Sequence, residues 1–143
     1  MENEWLLPQM RQSDAVLTRM RACAPLLAGY GMMLREDELQ ALARQRLSAL
    51  EANGRLEFGS GALPKLLCAF CNSPYLMRDG FADTVGTLLE LFYAYKNETE
   101  QFLSDDELIE RMKEIFNGEA HGALDILDDA LSELCRNKRK GDG

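Results

Sequence analysis

The chain has 143 residues, 46% hydrophobic and 28% charged, with four cysteines and a formal net charge of −8. That length and apolar content suit one domain with a continuous core and exclude a chain disordered throughout. The acidic balance argues against binding a phosphate backbone, and the longest uncharged stretch, the 13 residues from Ala22 to Leu34, falls short of the roughly 18 apolar residues of a membrane span.

The opening MENEW is acidic, where an export leader would be basic and then apolar. A soluble, cytoplasmic protein with reduced cysteines is therefore expected, in which Asn97-Glu98-Thr99 has no meaning as a glycosylation acceptor. Ser13-Asp14 is expected to cap a first helix bearing Val16, Leu17, Met20 and Cys23, which Pro25 bends or ends before Gly29-Tyr30-Gly31 breaks the chain. Leu39, Leu42, Ala43, Leu47 and Leu50 recur at helical spacing up to the stop at Asn53-Gly54. Arg55-Leu56-Glu57-Phe58 alternates, but is too short to found a sheet.

Pro64 suits the first turn of the next helix, with Leu66, Leu67, Phe70 and Cys71 inward and a stop near Ser73-Pro74. Phe81, Val85, Leu88, Leu89, Phe92 and Tyr95 mark the longest amphipathic stripe. Ser104 followed by Glu107, ahead of Leu108, Ile109, Met112, Ile115 and Phe116, reads as a capping box, and Asn117-Gly118 ends that helix. The last helix buries Leu124, Leu127, Leu131 and Leu134 and turns Asp125, Asp128, Asp129 and Glu133 outward. Charge is concentrated here: residues 97–133 carry 12 acidic and 2 basic side chains, while Arg136, Lys138, Arg139 and Lys140 complement the dipole of the helix they follow.

Chemistry is sparse. Gly59, Ser60, Gly61 and Lys65 give G-x-G-x-x-x-K, short of a P-loop and without a preceding strand; an anion site at the following helix start is the functional possibility, and a tight turn the plainer one. Cys68 and Cys71 form a C-x-x-C inside a helix rather than at its start, and a zinc site would need Cys23, Cys135 or the single histidine, His121, to join them. Ser60 lies in Gly-Ser-Gly rather than G-x-S-x-G, one histidine cannot furnish a di-iron bundle, and GEAHGALDILDD lacks the ligand pattern of a calcium loop. Asp125, Asp128, Asp129 and Glu133 form either a solvated face or a surface for a basic partner. Met32-Met33 and Trp5 are further apolar candidates for contact with a partner or with the core.

The segments YGMMLREDEL, LEANGRLEFGSGALPKLLCAFCNSPYL and FYAYKNETEQFLSDDELIERMKEIFNGEAHGALDIL resemble a family of small, uncharacterised bacterial proteins, a domain of unknown function. The resemblance spans roughly residues 29–136 and is most specific in GRLEFG, AFCNSPY and SDDELIERMKEIFNG. It implies a bacterial, cytoplasmic, single-domain protein and supplies no catalytic residue.

The expectation is an all-α protein, a single compact bundle of five or six helices with short loops over residues 1–143, with mobile termini at 1–12 and 137–143. Its function is expected to be that of a non-catalytic interaction module without cofactor, monomeric or homodimeric, whose partner is another protein and neither nucleic acid nor membrane. The alternative is a small metal-binding protein or enzyme using Cys71, Cys68 and His121.

Overall fold

The computed structural model describes the backbone of residues 8–59 and 61–139 and the side chains of residues 15–59 and 61–137. Trp5, Ser60, Lys140 and the side chains of Lys138 and Arg139 lie outside them. Of the termini expected to be mobile, residues 8–12 and 137–139 are helical and the remainder lies outside the described residues.

Among the described residues seven helical segments follow one another: α1 (Pro8–Ala22), α2 (Ala24–Gly29), α3 (Glu36–Ala52), α4 (Ala62–Phe70), α5 (Phe81–Thr99), α6 (Asp105–Asn117) and α7 (Leu124–Arg139). No strand occurs among the described residues. The expected bundle of five or six helices is met, with the first helix bent at Pro25. Pro25 has no amide to give to the turn before it, and the Cys23 amide bonds back only three residues, to the Met20 carbonyl. Counted as one bent helix, α1 and α2 bring the number to six. The expected cap at Ser13-Asp14 is corrected: α1 is already under way at Pro8, so both residues lie inside it.

α4 is short and apolar on nearly every side. Leu63, Leu66, Leu67 and Phe70 are wholly inaccessible, Ala62 and Pro64 are buried too, and Lys65 alone is exposed. A helix of that kind belongs in the interior. It packs against α1, α2, α5 and α6, while α5 packs against α3, α4, α6 and α7. One continuous apolar cluster joins residues of all seven helices, from Val16 through Phe92 to Leu131. Each fully buried Leu or Phe in it contributes about 1.5–3 kcal/mol relative to exposure. On α5, Gly86 is the point of close approach to α3, since a β-carbon there would strike the Gln45 side chain.

Polar contacts fix the helix starts. Glu38 accepts from the Arg35 amide at 2.8 Å, closing the first turn of α3, and pairs with Arg78 at 2.9 Å, so the loop before α5 is tied to α3. At α6 the capping box is complete: the Glu107 amide donates to Ser104 Oγ at 3.1 Å, and the Ser104 amide donates to Glu107 Oε1 at 2.8 Å. Asp105 and Asp106 lie where the helix dipole is positive and each holds a lysine from another helix, Lys96 of α5 and Lys65 of α4. Lys65 reaches its aspartate at 2.8 Å.

Ser104→Ala removes the acceptor of one otherwise unpartnered amide, so it is expected to cost about 0.5–2 kcal/mol in a urea melt. A cost within error of zero would show that the box does not hold the start of α6.

Candidate functional site

The stretch from Arg55 to Lys65 is where sequence and structure diverge most. In an alternating segment on a protein surface, the apolar positions ordinarily face the core. Here the polarity is reversed. Leu56 is 59% exposed and Phe58 69% exposed, while Arg55 and Glu57 turn inward. Arg55 pairs with Glu100 at 2.9 Å and also donates to the Asn97 side chain, both at the end of α5.

Glu57 reaches Arg46 at 2.8 Å, and its second oxygen accepts the Ala62 amide at 3.2 Å. That amide is the first of α4, so the anion at this helix start is the chain's own carboxylate. Arg46 is completely buried and also donates to the Glu57 carbonyl at 3.3 Å. The Tyr93 hydroxyl is buried beside the pair, and burial together with the Glu57 charge pushes its pKa well up.

Two glycines make the turn. Gly59 has φ 76° and Gly61 φ 72° with ψ −161°, a region essentially reserved for glycine. A β-carbon on Gly61 would also fall onto the Glu57 carboxylate. Of the proposed anion-binding set, Gly59 and Gly61 thus shape a turn closed over Glu57, Lys65 faces Asp106, and Ser60 lies outside the described residues.

Sequence reasoning missed Arg46 and Glu57. A signal for Arg46 was present: it falls in register with Leu39, Leu42, Ala43, Ala49 and Leu50, all buried. Leu47, expected in that stripe, is only half-buried.

The cysteines are placed differently from any motif. All four are free. Cys71 is buried at the end of α4 with Sγ 3.5 Å from the Cys68 carbonyl, whereas half-buried Cys68 faces Cys23 at the α1–α2 break, Sγ to Sγ 3.2 Å. His121, in a left-handed turn (φ 47°) between α6 and α7, meets the Tyr75 hydroxyl at 3.0 Å through Nδ1. Among the described residues no group of three or more His, Cys, Asp or Glu side chains is arranged to hold a metal ion.

Asp125, Asp128, Asp129 and Glu133 are exposed along α7. Tyr95 donates to the Asp128 carboxylate and Glu133 pairs with Arg136. Burial and the Asp128 bond push the Tyr95 pKa up to about 12. An open groove of about 380 Å³ lies beside α6, lined by Phe102, Leu103 and Leu134 together with Glu107, Glu110, Arg111 and Glu114. No helix among the described residues is long and apolar enough to cross a membrane.

Removing one member of a buried ion pair leaves the other charge uncompensated, so Glu57→Ala is expected to cost about 3–5 kcal/mol in denaturant melts. Gly61→Ala should cost about 1–3 kcal/mol from backbone strain alone. It should cost less in a Glu57→Ala background, where the carboxylate no longer blocks the new methyl. Strictly additive costs would show that Gly61 and Glu57 do not share the turn.

Comparison with curated proteins and with solved structures finds no match. Residues 19–143, most of the chain, match the family of unknown function DUF6323, and the chain belongs to that family.

Proposed function

We propose that this protein is a non-catalytic interaction module of the bacterial cytoplasm, and that another protein docks on the ridge formed by Leu56 and Phe58. One observation carries the proposal: the charges of the Arg55–Phe58 segment are locked inward by Arg46, Glu100 and the start of α4, and this fixes two large apolar side chains in water. A mobile loop would lose side-chain and backbone freedom on binding; a loop held at both charges has less to lose. An exposed Phe on a rigid support has the character of a binding anchor, with 150–250 Å² of surface to bury. The alternative, a metal protein or enzyme based on Cys68, Cys71 and His121, would need the three side chains to converge, whereas Cys68 faces Cys23 and His121 meets Tyr75.

The test is a photo-crosslinking residue in place of Leu56, expressed in the native cell, with the same residue at exposed Glu51 as the reference. A discrete adduct with another protein at position 56, absent at 51 and lost on Phe58→Asp, is the expected outcome. No adduct above the reference, or one unaffected by Phe58→Asp, would remove the ridge as the docking site. An adduct between two copies of this chain would replace the proposal with a homodimer. Phe58→Asp itself should change stability by less than about 0.5 kcal/mol, because the side chain is largely in solvent.

A further inference from the structure

Cys23, at the junction of α1 and α2, and Cys68, on α4, lie 45 positions apart, yet their sulfurs are 3.2 Å apart. Cys23 occupies the residue at which α1 breaks into α2, with its Sγ also 3.4 Å from the Arg19 carbonyl and 3.9 Å from that of Pro64. Cys68 is one turn beyond Pro64 on α4, so the α1–α2 junction and α4 hold the thiols face to face. Both residues keep part of their surface in solvent, whereas Cys71 and Cys135 are buried. A disulfide bond is about 2.05 Å long, so closing the pair takes roughly 1.2 Å of sulfur movement, within the reach of side-chain rotation.

The geometry points to a reversible disulfide between Cys23 and Cys68, formed by exchange with a low-molecular-weight disulfide such as oxidised glutathione. In the first step the Cys68 thiolate attacks one sulfur of the small disulfide, forming a mixed disulfide on Cys68 and releasing one small thiolate. Cys23 then gives its proton to solvent, and its thiolate attacks the Cys68 sulfur and expels the second small thiolate. Two protein thiols are oxidised by two electrons, the small disulfide is reduced, and the two protons end on the two small thiols. The order follows from the surroundings: burial and the adjacent Cys68 push the Cys23 thiol up to about 12, which leaves the first attack to Cys68, and the part of that push that comes from Cys68 is lost once its sulfur is in the mixed disulfide. Exchange should accelerate as pH rises, because the thiolate is the attacking species in both steps. The product would tie the α1–α2 break covalently to the buried helix α4.

The reduced full-length protein is equilibrated with reduced and oxidised glutathione, quenched with acid, alkylated and mapped by mass spectrometry. The expected product is lighter by about 2 Da, with the peptides of Cys23 and Cys68 linked and the link reversed by excess reduced glutathione. In Cys23→Ser the reaction should stop at one glutathione on Cys68. A wild-type protein that ends as the Cys68 adduct, forms a Cys68–Cys71 link instead, or stays unmodified at Cys23 and Cys68 would overturn the inference. The wild-type map decides alone if Cys23→Ser does not fold.

Discussion

A helix that begins inside a protein must find acceptors for its first amides without water, and α4 is such a helix. Glu57 meets that need, but a carboxylate placed there has to be balanced in turn, and Arg46 does so from the buried stripe of α3. The rest of the 55–61 loop follows from this pair. The chain must return over its own carboxylate, which requires glycine at 61, and must face Arg55 and Glu57 inward, which leaves Leu56 and Phe58 outside. A buried ion pair is seldom a net gain over apolar packing, and its value here is positional: it sets where α3, α4 and the loop stand relative to one another.

The acidic second half of the chain is also less uniform than its charge count implies. Asp105 and Asp106 are engaged by the dipole of α6 and by lysines of α4 and α5, so those charges bind helices together. The aspartates of α7 are exposed along a helix whose opposite side supplies Leu127 and Leu131 to the core, and of them Asp128 also accepts from Tyr95 of α5. A net charge of this kind favours solubility and sets which partners approach, and the apolar ridge at Leu56 and Phe58 lies outside the acidic segment.

The helices were largely legible in the sequence because their apolar periodicity and caps are local. The stripe from Phe81 to Phe92 is buried as its spacing implies, and the Ser104–Glu107 box stands where its four residues place it. What was not legible depends on pairs distant in the chain. GSG followed by a lysine resembles an anion site, and nothing local says that the anion comes from Glu57. The partner of Cys68 is not Cys71, three residues on, but Cys23, 45 positions back, because α1 packs on α4. Ser13-Asp14 failed as a cap for a simpler reason: a polar pair that can start a helix is also tolerated inside one, and the apolar pattern upstream was too weak to show that the helix had begun.

The arrangement of α4 and α5 bears on how the molecule opens. Each packs on four other helices, so their amides reach solvent only when most of the structure comes apart, and their hydrogen exchange should report global stability. α2 has six residues, packs on α1 and α4, and buries Leu27 alone of its side chains. With one core side chain to withdraw, it is expected to open at a lower free energy than α4 or α5. Exchange at α2 and at α4 would then differ by orders of magnitude across a single sulfur-to-sulfur contact, placing Cys23 on the boundary between the part of the protein that breathes and the part that does not.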